Sequence, residues 1–302
     1  MSRSRLVPGV EVVAVPGRGL AVRTSDGEFL SVRTPGGADE DVTLPLCSLL
    51  SGAGAGAGVG VGTAVPPDEE LTRVVRAFEE AGYLADEPPP PSAWPADRRD
   101  IRLLGTPAVT RPLAEQLAAL GAEPRTTPVT APEASPTSVS PYAIEELLDG
   151  DPAAVVWCLD GPVPEGLWDA ADRLPERGTA WLRCHREGWQ AYVEPLAAAP
   201  GDVTSAHVRA RRLAATPAHR ELAAYWSGPR TAGAPVRLTV PAAALLAALL
   251  ADDLAQWATG APGTAGIPAR RRLRQVDLRT LTVTEHPVLP VPPVATTPGK
   301  DG

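Results

Sequence analysis

The sequence predicts two folded parts of different class, an α+β module followed by an α/β domain built like a nucleotide-binding unit without its phosphate site. Three observations carry this. Short alternating strands, separated by Pro16-Gly17 and Asp26-Gly27, run to Thr34. Four consecutive prolines, Pro88 to Pro91, then interrupt the chain. From Ile101 onward a strand–glycine–helix unit opens a segment in which strand-like and helix-like apolar runs alternate.

In the first part the strands read as Val10–Val15, Gly19–Thr24 and Glu28–Thr34, the Asp-Gly pair being a hairpin signal. A short apolar helix is expected over Val42–Leu50. The glycine-alanine tract from Gly52 to Gly62 ends in Gly62-Thr63-Ala64 rather than Gly-Lys-Ser/Thr, so it reads as a flexible insertion and not a phosphate loop. Asp68 to Ala81 is the strongest helix: Asp68, Glu69 and Glu70 suit the positive end of its dipole, Leu71, Val74, Val75 and Phe78 make one apolar stripe, and Gly82 suits a left-handed cap. Three strands and two helices in this arrangement spell a winged-helix-like module. Its boundaries are placed at 1–87, with a proline-rich linker at 88–97, the α/β domain at 98–292 and a disordered tail at 293–302.

The α/β part opens with the strand Ile101–Leu104, Gly105, and a helix carrying Leu113, Leu117 and Leu120 at helical spacing. A dinucleotide or ATP site of this type needs several glycines so that backbone amides can approach a pyrophosphate. Gly105 is followed instead by Thr106, Pro107, Ala108, Val109, Thr110, Arg111 and Pro112, and the two prolines remove amide donors. Beyond it the reading is a loop over Pro124–Pro141, a helix at Ala143–Leu148, a buried strand Val155–Leu159, a helix near Leu167–Leu174, and a hairpin of Trp181–Arg186 with Trp189–Glu194. A long helix follows from Ala243 to Trp257, its Leu246, Leu250 and Leu254 side also offering a dimerisation surface. Two strands within Gln275–Val288 close the domain.

Composition narrows the function classes. The chain has 302 residues, 44% of them hydrophobic, and a formal net charge of −8, so no global field would gather nucleic acid. Its start, MSRSRLVPGVEVV, lacks the apolar stretch of a secretory signal, and the apolar run from Pro241 to Leu250 is short for a membrane span. Cys47, Cys158 and Cys184 are widely spaced and odd in number, which suits reduced thiols and a cytoplasmic location. Adjacent Cys184 and His185 would point to opposite faces of a strand and so do not share a site. Asp252-Asp253 reads as a charged helix flank, and Arg270, Arg271, Arg272 and Arg274 as a solvated turn or partner contact.

The second part resembles the ThiF-like partner proteins of YcaO cyclodehydratases, which act on ribosomally made peptides. The resemblance rests on IRLLG (Ile101–Gly105), the stretch Thr179 to Gly201, the pair Arg211-Arg212, and the end Val276 to Pro292. The first part resembles the PqqD-like module with which such systems recognise a leader peptide. The family's structural zinc is held by cysteine pairs, which the corresponding stretches DVTSAHVRARR and PVPPVATTPGKDG lack. His207 and His219 cannot supply four ligands, so neither a zinc nor another cofactor is expected.

The resemblance implies a peptide clamp in which a leader adds as a strand along Glu28–Thr34 and packs against the following helix. The implied peptide-binding residues are Glu28, Phe29, Leu30, Ser31, Val32, Arg33 and Thr34 on the strand. On the helix they are Leu71, Arg73, Val74, Arg76 and Phe78. Arg33, Arg73 and Arg76 would meet the acids of a leader; the plainer reading of the last two is surface pairing with Glu69 and Glu80. The function implied is a non-catalytic subunit that binds a precursor peptide and delivers it to a separate YcaO cyclodehydratase for azoline formation, with a homodimer as a further assembly. An adenylating enzyme of the same fold and a winged-helix regulator are the alternatives. The regulator would need a basic recognition helix, whereas Asp68–Ala81 carries Asp68, Glu69, Glu70, Glu79 and Glu80 against Arg73 and Arg76.

Overall fold

A computed structural model describes residues 5–15, 18–32, 69–85, 93–127, 151–164, 166–228, 231, 233–234, 236–260 and 266–292. The chain divides into two compact units, Met1–Pro91 and Ser92–Gly302.

In the first unit β1 (Arg5–Leu6) is separated by a short turn from β2 (Glu11–Val15), β3 (Gly19–Arg23) and β4 (Phe29–Val32), which form an antiparallel meander. Gly27 closes the β3–β4 turn at φ +90°, a conformation that favours glycine. Helix α1 (Glu69–Glu80) ends at Gly82, φ +74°, and the chain returns in β5 (Leu84–Ala85), antiparallel to β1. Val10, Leu20, Val22 and Leu84 bury the Phe78 ring, which also meets Tyr83 edge-on at 5.9 Å. Phe78 is only 4% exposed, so the residue expected as a peptide-facing wall is instead the centre of this small core. The helix and insertion expected at 42–62, together with Arg33 and Thr34, lie outside the described residues.

The second unit is a mixed α/β structure. Strands β6 (Asp100–Gly105), β7 (Glu123–Thr127), β8 (Ala154–Cys158) and β9 (Ala180–Glu187) are mutually parallel. They are extended antiparallel by β10 (Gln190–Val193), β11 (Arg272–Asp277) and β12 (Thr282–Pro287). The sheet order is β12-β11-β10-β9-β8-β6-β7, so the chain reverses direction across the sheet between β6 and β8, the switch point of a doubly wound fold. Helix α2 (Pro107–Ala119) packs beside α5 (Val240–Thr259), where Leu113, Leu117, Leu246, Leu250 and Leu254 join Ile101, Leu103 and Val156 in the larger core. The opposite sheet face carries Leu104, Val155 and Trp157, packed with Trp168, Leu174 and Trp181. That split follows the strand alternation of Leu103 with Leu104 and of Val155 with Val156.

Several expectations are corrected here. The loop expected from Pro124 begins inside β7: this is an edge strand, where Pro124 is tolerated because an edge amide need not be donated. The helix expected near Leu167–Leu174 is a run of turns leading into a 3-10 helix at Ala171–Arg177, which contains Pro175. Two helices were not foreseen, α3 (Ser205–Ala215) and α4 (His219–Ser227). His207 serves α3 as half of a capping box: Thr204 N donates to His207 Nδ1 and His207 N to Thr204 Oγ1.

The apolar side of α5, expected to be available for dimerisation, is consumed by the unit's own core. This helix is long and apolar enough to cross a membrane, but Leu246, Leu250 and Leu254 are buried within the unit. Asp253 is no surface flank either. It is fully buried between Arg272 (2.5 Å) and Arg274 (2.6 Å), and burial pushes its carboxyl up to about 6 against the pull of those arginines. Arg272 and Arg274 of the expected basic turn are therefore internal pairs, whereas Arg270 and Arg271 stay partly exposed and reach Asp202 from the surface.

Gly105 is more than a turn. It ends β6 at φ +105°, and a Cβ there would lie 1.8 Å from the carbonyl oxygen of Cys158, which accepts from Thr106 N at 2.9 Å. Here β6 and β8 pair backbone against backbone, with no room for a side chain at Gly105. Gly105→Ala should lower unfolding stability by about 3 kcal/mol, combining a strained dihedral with a clash against rigid backbone. Urea denaturation checks this, and an unchanged midpoint would contradict the close approach.

Candidate functional site

In the first unit the strand expected to receive a peptide is an edge: β4 pairs with β3 on one side and with no strand on the other among the described residues. Edge strands present unpaired amides and carbonyls, the groups that strand addition uses. Phe29 is 64% exposed and Leu30 44%, while Glu28 and Ser31 are exposed and Val32 is half-buried. The register sets Leu30 opposite Val22 and Val32 opposite Leu20. These two therefore share the sheet face that α1 covers, and Phe29 and Ser31 occupy the other face, opposite Arg23 and Ala21.

The helix residues divide. Arg73 and Arg76 are exposed, and Arg76 Nε donates to Glu80 Oε1 at 3.0 Å in a surface pair one turn apart. The side chains of Leu71 and Val74 lie outside the described ones. Of the residues expected as walls, Phe29 and Ser31 lie exposed on one face of this edge, and Phe78 lies in the core.

In the second unit a small cleft lies at the carboxyl end of β9, lined by Trp168, His185, Glu187, Glu194, Arg212 and Trp226 among others. Sequence reasoning did not assign it. Its floor is a buried charge network. Arg183, fully buried, donates to Asp172 Oδ1 (2.7 Å), Pro195 O (2.8 Å) and Val203 O (3.0 Å), and makes an ion contact with Glu194 at 3.0 Å. Asp172 also accepts from Trp181 Nε1 and, through its other oxygen, from Ser205 N and Oγ. His185 stacks on Tyr192 at 5.1 Å, meets Trp168 edge-on at 5.6 Å, and stands 3.5 Å from Glu187 and 3.6 Å from Glu194.

Above this floor Glu187 receives both ends of the Arg212 guanidinium, at 3.0 and 2.6 Å, and the Trp226 indole N–H at 2.7 Å. Arg212 itself lies 3.9 Å over the Tyr192 ring. Burial works to raise the Glu187 carboxyl, but the His185 and Arg212 contacts outweigh it and hold the group below its ordinary value. Burial prevails at Glu194, which is raised against the attraction of Arg183 and His185. Cys184 and His185 do point to opposite sides: Cys184 sits in the larger core beside Cys158, both as free thiols. The signal for the network was present in WLRCHRE, where Arg183, His185 and Glu187 stand at every second position and so share one face.

No family model matches this chain, and no curated protein matches it by sequence. Solved structures do share its fold. A heterocyclase in complex with substrate and cofactor matches with a TM-score of 0.53 and 15% identity, over 95% of this chain and 38% of its own. The heterocyclase TruD matches with 0.54 and 17%, over 97% and 42%. E. coli MccB with ATP matches with 0.51 and 11%, over 97% and 98%. The chain thus spans about two fifths of the length of the two heterocyclases and nearly all of MccB. At such identities the likeness is one of fold.

The depressed Glu187 carboxyl carries a pH signature. Its stabilising contribution is complete above the ordinary value of 4.5 and is lost as pH falls through the lower folded value. Glu187→Gln should cost about 2 kcal/mol at neutral pH, the size of a charged hydrogen bond. In paired melts the gap between the two proteins should shrink below about pH 4.5. A gap that stayed constant or widened on acidification would show that Glu187 is not held ionised by Arg212 and His185.

Proposed function

We propose that this chain is a non-catalytic recognition subunit: it binds the leader segment of a ribosomally made precursor peptide and presents the remainder to a separate YcaO cyclodehydratase, which forms azolines. The observation that carries the reading is the open β4 edge, with Phe29 and Leu30 exposed on its two faces and Arg73 exposed on the helix that covers one of them. An extended peptide would pair its backbone with β4, place apolar side chains against Leu30 and Val32, and direct acids to Arg73, Arg76 and Arg33. The fold likeness to two heterocyclases supports a place for this chain in heterocycle formation on a peptide. Binding the leader would raise the effective concentration of each core residue at that enzyme. Such a complex would operate in the cytoplasm.

The second reading, an adenylating enzyme, draws support from the fold likeness to MccB with ATP. Against it stands the switch point, where Pro107 opens the helix that would otherwise offer amides to phosphate.

Fluorescence polarisation with a labelled candidate leader peptide, acidic with spaced apolar residues, tests the proposal. The unaltered protein should bind with saturation. Leu30→Glu should weaken binding about tenfold or more, since it sets a charge where an apolar anchor would be buried. The double change Arg73→Glu, Arg76→Glu should weaken it further and remove much of its salt dependence. Absence of binding, or affinity untouched by both variants, would refute it, and saturable ATP binding by the chain alone would favour the second reading.

A further inference from the structure

The open edge of the first unit carries a side chain for which the groove beside α1 does not account. Phe29 lies on the outer face of the meander, away from α1, and is 64% exposed. Across β3 and β2 its neighbours are Arg23 and Glu11, which pair with each other at 3.5 Å, and its ring lies outside the small core around Phe78. A lone exposed ring means little in itself. Its place on the edge is what matters. Thr24 N donates to Glu28 O at 2.9 Å, which makes Thr24 and Glu28 a hydrogen-bonded pair. Antiparallel alternation then turns the N–H and C=O of Leu30 and Val32 towards β3, and those of Phe29 and Ser31 towards the free side. The two residues whose backbone would hold an added strand are therefore the two whose side chains stand on the outer face.

We propose that Phe29 is a specificity-determining residue of this edge, and that the segment it receives carries two adjacent apolar residues, one against Leu30 on the helix side and one against Phe29 on the outer side. This specificity rests on β4 being the peptide-binding edge and goes beyond the groove beside α1. The side chains of an added strand alternate between faces in step with those of β4, whichever way that strand runs. The residue opposite Phe29 thus stands on the outer face, about 5 Å away between Cβ atoms and within reach of the ring. Those opposite Leu30 and Val32 turn to the covered face, and the one opposite Ser31 meets a hydroxyl. A peptide held by the groove alone would need apolar residues only at every second position. With Phe29 the pattern becomes apolar-apolar-any-apolar, read in either direction. An aromatic or β-branched residue suits the outer position best, because such cross-strand pairs with an aromatic ring add to simple burial.

Random short peptides displayed on phage are selected on the full chain, keeping those that bind the unaltered protein and not Leu30→Glu. Synthetic copies are then titrated by fluorescence polarisation, each apolar residue replaced in turn by serine, against the unaltered chain and Phe29→Ser. Amide exchange along β4 is followed by NMR in each complex. One apolar residue, adjacent to another, should lose about threefold to tenfold in affinity on the unaltered chain but less than about twofold on Phe29→Ser. The Phe29 and Ser31 amides should be protected in the same complexes. A general loss of structure in Phe29→Ser would weaken every peptide alike and could not produce this coupling to one position. Peptides that protect those amides yet bind Phe29→Ser as tightly, with apolar residues at alternate positions alone, would overturn the role of Phe29 and leave the peptide-binding edge standing. Recovery of no such peptide, or of peptides that leave both amides unprotected, would overturn the edge as well.

Discussion

Arg183 is the group around which the second unit is organised. A guanidinium with no exposure depends on its partners, because a buried charge that loses one costs several kcal/mol. Its partners come from separate stretches: Asp172 in the 3-10 helix, Glu194 and Pro195 just after β10, and Val203 just before α3. Asp172 extends the reach to the first residue of α3 through Ser205. None of these segments can shift alone without stranding a charge. With α3 anchored, Arg212 falls over Tyr192 and onto Glu187, and Arg209 faces Trp226. The cleft is thus a consequence of how one arginine is satisfied.

The two units treat their polar groups in opposite ways. In the second, charges are spent internally: Asp253 on Arg272 and Arg274, Asp202 on Arg270 and Arg271, Glu187 on Arg212. At the switch point the backbone of Gly105 lies against that of Cys158, leaving no room for a Cβ. The first unit keeps a row of strand hydrogen-bonding groups at β4, flanked by exposed Phe29 and Leu30. An unused edge next to exposed apolar side chains presents the groups that strand addition uses.

Much of the fold was legible from local chemistry. The strands around Asp26-Gly27, the hairpin at Glu187-Gly188 and the helix reaching Trp257 lie where turn residues and apolar spacing put them. What escaped was set by tertiary contact. β7 is polar and begins with Glu123-Pro124, and it is a strand because β6 offers an edge to pair with. Helix α3 has little apolar periodicity, since Arg209, Arg211 and Arg212 sit on it for interactions with Trp226, the carbonyls of Leu289 and Pro290, and Glu187. Asp253 looked like a surface acid because its two arginines follow some twenty residues later, beyond any local window. That β4 would be an edge was implied by the resemblance; that Phe78 would fill the core was not legible, because an apolar stripe does not say how much of it its own sheet will cover.

Amide hydrogen exchange of the full chain, with and without the precursor peptide, addresses the recognition role most directly. If a leader adds to the edge, the amides of Phe29–Val32 should gain protection on binding while those of the buried strand β8 stay as they were. A bound peptide that left Phe29–Val32 unprotected, and slowed exchange only within the second unit, would contradict the account.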